Sequence, residues 1–196
     1  LAATGEVLDR VGCLNNLRQL GIALLSYADD NDSTFPPRGV RPFWPERLRT
    51  YYKQVAILTC PSDGPNPWSA PGNLTNTADA APRSYIFNGW NDYFSKHGLP
   101  LSRPFPASAI TEPAQTILFG EKVTDSSHFW FDYDQIDDLT AVENGRHFRS
   151  GSSSASGASN HTFADGSVRL LKWGTAFFPT NLWAVEPEFR EWKPAN

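Results

Sequence analysis

A chain of 196 residues with 40% hydrophobic and 19% charged residues holds enough apolar side chain to offset the entropy of ordering, and too little charge to stay disordered. Its 17 Lys and Arg are scattered and its formal charge is −4, which excludes the basic footprint of a nucleic-acid binder. No run reaches the roughly 18 to 20 consecutive apolar residues of a bilayer span, and the length suits a single domain over 1–196.

The N-terminal segment carries Val7, Val11, Leu14, Leu17, Gly21, Leu24 and Ala28 at three- and four-residue steps, which predicts an amphipathic helix from Glu6 to about Asp30. Asp29, Asp30, Asn31 and Asp32, then Pro36 and Pro37, end it. Pro45 suits the first position of a second short helix running through Glu46, Leu48 and Tyr51. From Pro61 to Pro82 the chain is rich in Pro, Asn, Ser, Thr and Ala and reads as a long surface loop.

Ser84 to Asn88 and Gln115 to Val123 are compact β-prone runs bounded by breakers, hence strands. Ser150 to Ser159 is almost all Ser, Gly and Ala and reads as a flexible loop. It leads into a hairpin, Asn160 to Ala164 and Ser167 to Trp173, around Asp165-Gly166, a pair suited to a two-residue type I′ turn. That turn would pair Phe163 with Val168 and His161 with Leu170 on a core face, with Thr162 and Arg169 pointing away.

Cys13 and Cys60 are too far apart for a zinc knuckle and have no His at ligand spacing. A disulfide in an oxidising compartment and two unrelated buried thiols both stand on composition.

The segment from Cys13 to Asp32 with Phe35-Pro36-Pro37 resembles the region just after the membrane helix of prepilin-like proteins of the type II secretion pseudopilin type. The match continues in order through Cys60-Pro61-Ser62-Asp63, Ser84-Tyr85 with Phe87-Asn88, the strand Ile117 to Glu121, Arg146-His147, and Asn160 with Phe163 to Val168. His147, Asp165 and Gly166 would be the family's C-terminal His-x9-Asp-Gly motif, here enlarged by the Ser/Gly/Ala insertion to 148–164 between His and Asp. The resemblance implies a pilin-like α+β fold: residues 1–30 form the C-terminal part of a long N-terminal helix, and 31–196 form a loop-rich antiparallel sheet head. It also implies a structural, non-enzymatic subunit of a type II secretion or type IV pilus-like assembly on the periplasmic or extracellular side of a bacterial envelope. Its expected partners are other pseudopilin or filament subunits, and the inner membrane through a helix ahead of Leu1. Envelope placement favours the Cys13–Cys60 disulfide.

Enzymatic readings are weaker. Gly151 to Ala155 misses the nucleophile-elbow pattern, Asp165 is accounted for by its turn, and His161 by a core-facing strand position. Asp132, Asp134 and Asp137 could supply oxygens to a calcium ion but lack the helix-loop-helix calcium pattern, and a solvated acidic loop is the simpler reading. No other cofactor is expected. Trp44, Trp68, Trp90, Trp130, Trp183 and Trp192 could form a sugar-stacking platform, or fill a core or a subunit interface, and the alternative to a filament subunit is a membrane-tethered glycan- or protein-binding module of the cell envelope.

Overall fold

The computed structural model describes residues 2–69, 77–148 and 156–191, the side chains of 2–4, 136 and 137 excepted. Helix α1 spans Ala2–Asp30, 29 residues and so about 44 Å long. Cys13, Leu17, Leu20, Leu24 and Ala28 fall on one stripe and are buried, as the three- and four-residue spacing requires. Val7 and Val11 belong to the same sequence pattern but are exposed at 43% and 41%, and Leu8 at 66%. The stripe meets the head only from Cys13 onward.

After α1 the chain makes the short strand β1 (Thr34–Phe35), which pairs antiparallel with β3 (Phe105–Pro106). The helix predicted after Pro45 is two single turns, Trp44–Arg47 and Arg49–Tyr52, hinged at Leu48. Strands β2 (Tyr85–Asn88), β4 (Ile117–Glu121), β5 (Trp130–Phe131), β6 (Ala158–Phe163) and β7 (Val168–Lys172) form one sheet in the order β5-β2-β4-β6-β7. The fold is α+β, but the sheet is mixed rather than wholly antiparallel, because β5 runs parallel to β2. Both predicted strands are shorter than their apolar runs, and Pro113–Gln115 is a 3₁₀ turn leading into β4.

The hairpin forms with a different turn and register. Gly166 N–H donates to Phe163 O and Phe163 N–H to Ser167 O, leaving a three-residue loop, Ala164 to Gly166, in which Gly166 alone has positive φ, +82°. A type I turn closed by a glycine bulge needs one left-handed residue, whereas type I′ needs two. The extra residue shifts the register by one, so that Thr162 faces Val168, His161 faces Arg169 and Asn160 faces Leu170. Backbone bonds from Ala164 N–H to Thr116 O and from Asp165 N–H to Pro113 O hold the loop against the chain entering β4.

Both faces of the sheet are covered, so Thr162, expected to point away from the core face, is buried as well. Tyr85, Phe87 and Phe119 pack under α1. Ile86, Phe131 and Phe163 pack against Ala176, Trp183 and Ala184 of the segment following β7, so the hairpin is not the end of the fold. Thr162 is fully buried and donates from Oγ1 to Leu17 O of α1 at 3.1 Å. The helix approaches so closely here that a Cβ on Gly21 would lie 2.6 Å from Thr162 Cγ2.

Candidate functional site

Where α1 enters the head, Cys13 is joined to Cys60 by a disulfide, with Cα atoms 4.7 Å apart. Cys60 follows the 3₁₀ turn Val55–Leu58, and its N–H donates to Ser84 Oγ at 2.9 Å. Below the disulfide lies Glu121, the last residue of β4, on the helix-facing side of the sheet with Tyr85, its cross-strand partner. His147 reaches the same place through an antiparallel bridge to Ala158 at the start of β6. Its Nε2 lies 2.9 Å from Glu121 Oε1, and the Asn160 side-chain amide approaches that nitrogen at 3.0 Å. With a carboxylate as neighbour, Nε2 carries the hydrogen and donates it. Asn160 N–H donates to Glu121 Oε2 at 3.0 Å.

Glu121 and His147 are both fully buried. Burial pushes the Glu121 carboxyl up, but the His147 hydrogen bond and charge, the Arg146 charge and the Asn160 N–H outweigh it, so the net direction is down. His147 Nδ1 and Asn160 Oδ1, though buried, have no hydrogen-bond partner among the described residues. One donor atom from each of Cys13, Cys60, Glu121 and His147 falls within 4.8 Å of all the others.

A second ion pair flanks this cluster. Arg146 pairs with Asp63, whose carboxylate also accepts from Thr124 Oγ1 at 2.6 Å. Burial pushes Asp63 up, while the Arg146 charge and hydrogen bonds from Ser84, Thr124 and Arg146 bring it below the usual range. Arg146 also caps Lys122 O, and its N–H donates to Ser159 Oγ. Outside this pair an open cleft of about 660 Å³ is lined by Ser62, Thr124, Asp125, Glu143 and Arg146. The buried Lys122 amine donates to Val123 O at 3.4 Å. Burial, and next the Arg83 charge, pull its pKa down to about 7.

No family model, curated protein or solved structure matches this chain. The cluster sets a disulfide against a buried carboxylate–imidazole pair. The hydrogen bonds described for that pair run between Glu121 and His147 and to Asn160, and the two sulfurs beside it are bonded to each other.

The remaining candidates separate. Asp165 is in the β6–β7 loop, accepting from Ser167 N–H and Oγ, while His147 bridges the opposite end of β6, so the motif residues His147, Asp165 and Gly166 form no common site. Gly151 to Ala155 lie outside the described residues. Asp132 gives both carboxylate oxygens to Arg38, Asp134 is exposed and accepts from Gln135 Nε2, and the Asp137 side chain lies outside the described residues. Asp138, the last acid of the same stretch, pairs with His128 and accepts from the Asp132 N–H. Of the tryptophans, Trp44, Trp90 and Trp183 are core residues, and Trp192 lies outside the described residues. Trp68 and Trp130 are half-buried, the first against the Arg83 guanidinium and the second against Phe43.

Glu121, Asp63, Arg146 and Asn160 were visible only as parts of separate matching segments. Nothing in their linear spacing indicates that they converge on the disulfide, because they arrive from a loop, two strands and a bridge.

Proposed function

We propose that this chain is the head and lower stalk of a pseudopilin-like, non-enzymatic structural subunit of a type II secretion or type IV pilus-like envelope assembly. The observation that carries the reading is the division of α1. From Cys13 to Ala28 one stripe, Cys13, Leu17, Leu20, Leu24 and Ala28, is buried against the head, while Glu6 to Val11 stands beyond it with Val7, Leu8 and Val11 exposed. Contacts described for that outer part go to Phe148: its N–H donates to Glu6 Oε1 at 2.7 Å, and the Arg10 guanidinium stacks on its ring. An apolar helix surface left open at the end of a folded head suits packing against neighbouring stalks or continuation into a membrane anchor. No helix among the described residues is itself long and apolar enough to cross a membrane. The disulfide supports an oxidising compartment.

The test is expression from the chain's own gene with Val7→Cys and Leu8→Cys variants. The reading expects fractionation with the inner membrane, a size shift that depends on a prepilin peptidase, and cross-linking between subunits through the introduced thiols. Recovery entirely in the soluble periplasmic fraction, with no peptidase-dependent shift, would overturn it.

A further inference from the structure

We propose that Cys13, Cys60, His147 and Glu121 form a redox-gated site for a thiophilic divalent cation, zinc by its donor chemistry, which becomes available when a dithiol opens the disulfide. This goes beyond the structural role above and does not depend on it.

A disulfide needs neither a carboxylate nor an imidazole beside it, and burying both has a desolvation cost. Here the two are fully buried directly against the sulfurs, and the four donor atoms lie within 4.8 Å of one another. A tetrahedral zinc with bonds of about 2.0–2.3 Å places its ligand atoms about 3.3–3.8 Å apart, so the two sulfurs, once unbonded, must part to that distance while Glu121 and His147 already lie within reach of them. Two sulfurs, one ring nitrogen and one carboxylate oxygen make a four-coordinate set of borderline-soft character, which favours zinc over calcium or magnesium.

The surroundings resemble the outer shell of a metal centre. Asn160 N–H fixes Glu121 through Oε2, leaving Oε1 facing His147. Such an outer contact orients a ligand and sets metal affinity. The Asn160 side-chain amide lies 3.0 Å from His147 Nε2, and Nδ1 is buried with no hydrogen-bond partner among the described residues.

The chemistry balances. A dithiol supplies two electrons and two protons, the sulfur–sulfur bond breaks, and the reductant becomes a cyclic disulfide. Zinc then displaces the two thiol protons, and the neutral imidazole binds through Nε2 with its ring hydrogen passed to Nδ1, which has no hydrogen-bond partner among the described residues. Two thiolates and one carboxylate against Zn²⁺ leave a net charge of −1 with neutral imidazole, and the Arg146 guanidinium, whose charge already acts on Glu121, lies beside it. Where thiols are kept oxidised the pair is a cross-link, and where they are reduced it is a ligand pair.

The test uses the untagged 196-residue chain, reduced with dithiothreitol, desalted without oxygen and titrated with Co²⁺ as a spectroscopic probe. One equivalent should bind with thiolate-to-cobalt charge-transfer and tetrahedral d–d bands, and Zn²⁺ should displace it. The oxidised chain should give neither band. His147→Ala and Glu121→Gln should each weaken uptake by at least roughly tenfold. Should either variant fail to fold, the melting temperature of the reduced wild-type chain decides: Zn²⁺ should raise it. An octahedral cobalt spectrum, full affinity in a folded His147→Ala variant, or no thermal shift with Zn²⁺ would each overturn the proposal.

Discussion

Thr162 of β6 and Gly21 of α1 meet so closely that the helix and sheet touch through a threonine methyl and a bare backbone. Adding a Cβ at Gly21 brings it to 2.6 Å from Thr162 Cγ2, inside any tolerable contact. Gly21→Ala should therefore destabilise by about 1–3 kcal/mol, although alanine is the better helix former by about 0.5–1 kcal/mol. Thr162→Ser removes the methyl and keeps the hydroxyl bond to Leu17 O, so the double variant should recover most of the loss. Urea unfolding of the two single variants and the double variant gives the cycle, and additive losses would contradict the contact.

The cross-link closes a loop with a sequence separation of 47. Loop-closure entropy puts its contribution at about 4 kcal/mol. Cys13→Ser/Cys60→Ser should lower the urea midpoint accordingly, as should reduction of the native chain in the presence of a chelator.

His161 is buried with its ring against Trp183, 6.0 Å between centroids, and its Nδ1 lies 3.0 Å from Ser159 O. Burial pulls its pKa down from 6.5 to about 4. Above pH 6.5 the ring is neutral whether or not the chain is folded. As pH falls from 6.5 to 4 the unfolded chain takes up a proton that the folded chain refuses, and stability is lost across that window, up to about 3 kcal/mol. Midpoints measured between pH 7 and pH 4 should fall more steeply for the wild type than for His161→Gln.

Lys122 behaves in the opposite sense to a paired cation. Its folded pKa of about 7 lies below the unfolded 10.5, so the cost of holding a buried charge is complete below pH 7 and fades as pH rises toward 10.5. Lys122→Met should stabilise the protein at pH 6 by roughly 1–4 kcal/mol, with the gain shrinking by pH 10. A gain independent of pH would point to packing instead of charge.

Glu121 and His147 should be the least tolerant pair. Glu121→Gln removes the charge facing His147 in a site without water access, and loss of one buried partner costs about 3–5 kcal/mol. Thermal unfolding of Glu121→Gln at neutral pH reads this directly.

Much of the architecture follows from local signals. The buried stripe of α1 is legible because 3.6-residue periodicity places Leu17, Leu24 and Ala28 on one face. The same periodicity cannot report where the partner surface stops, so Val7 and Val11 look alike in sequence and differ in the fold. The β6–β7 hairpin is legible from Asp165-Gly166, but its register is not. That register depends on one extra loop residue held by Thr116 and Pro113, which are distant in sequence. Cys13, Cys60 and His147 could be singled out, yet the contact that joins them is tertiary, and Glu121 reads in sequence as the end of a strand.

The position of the cross-link has a mechanical meaning. Cys13 is where α1 first becomes buried, and Cys60 is tied through its N–H to Ser84 at the edge of β2. A pull on the outer turns of α1 passes covalently into the chain beside the central strands, so the helix cannot be peeled from the head one turn at a time. Tension instead loads the interface as a whole, in shear, and the molecule resists as a single block.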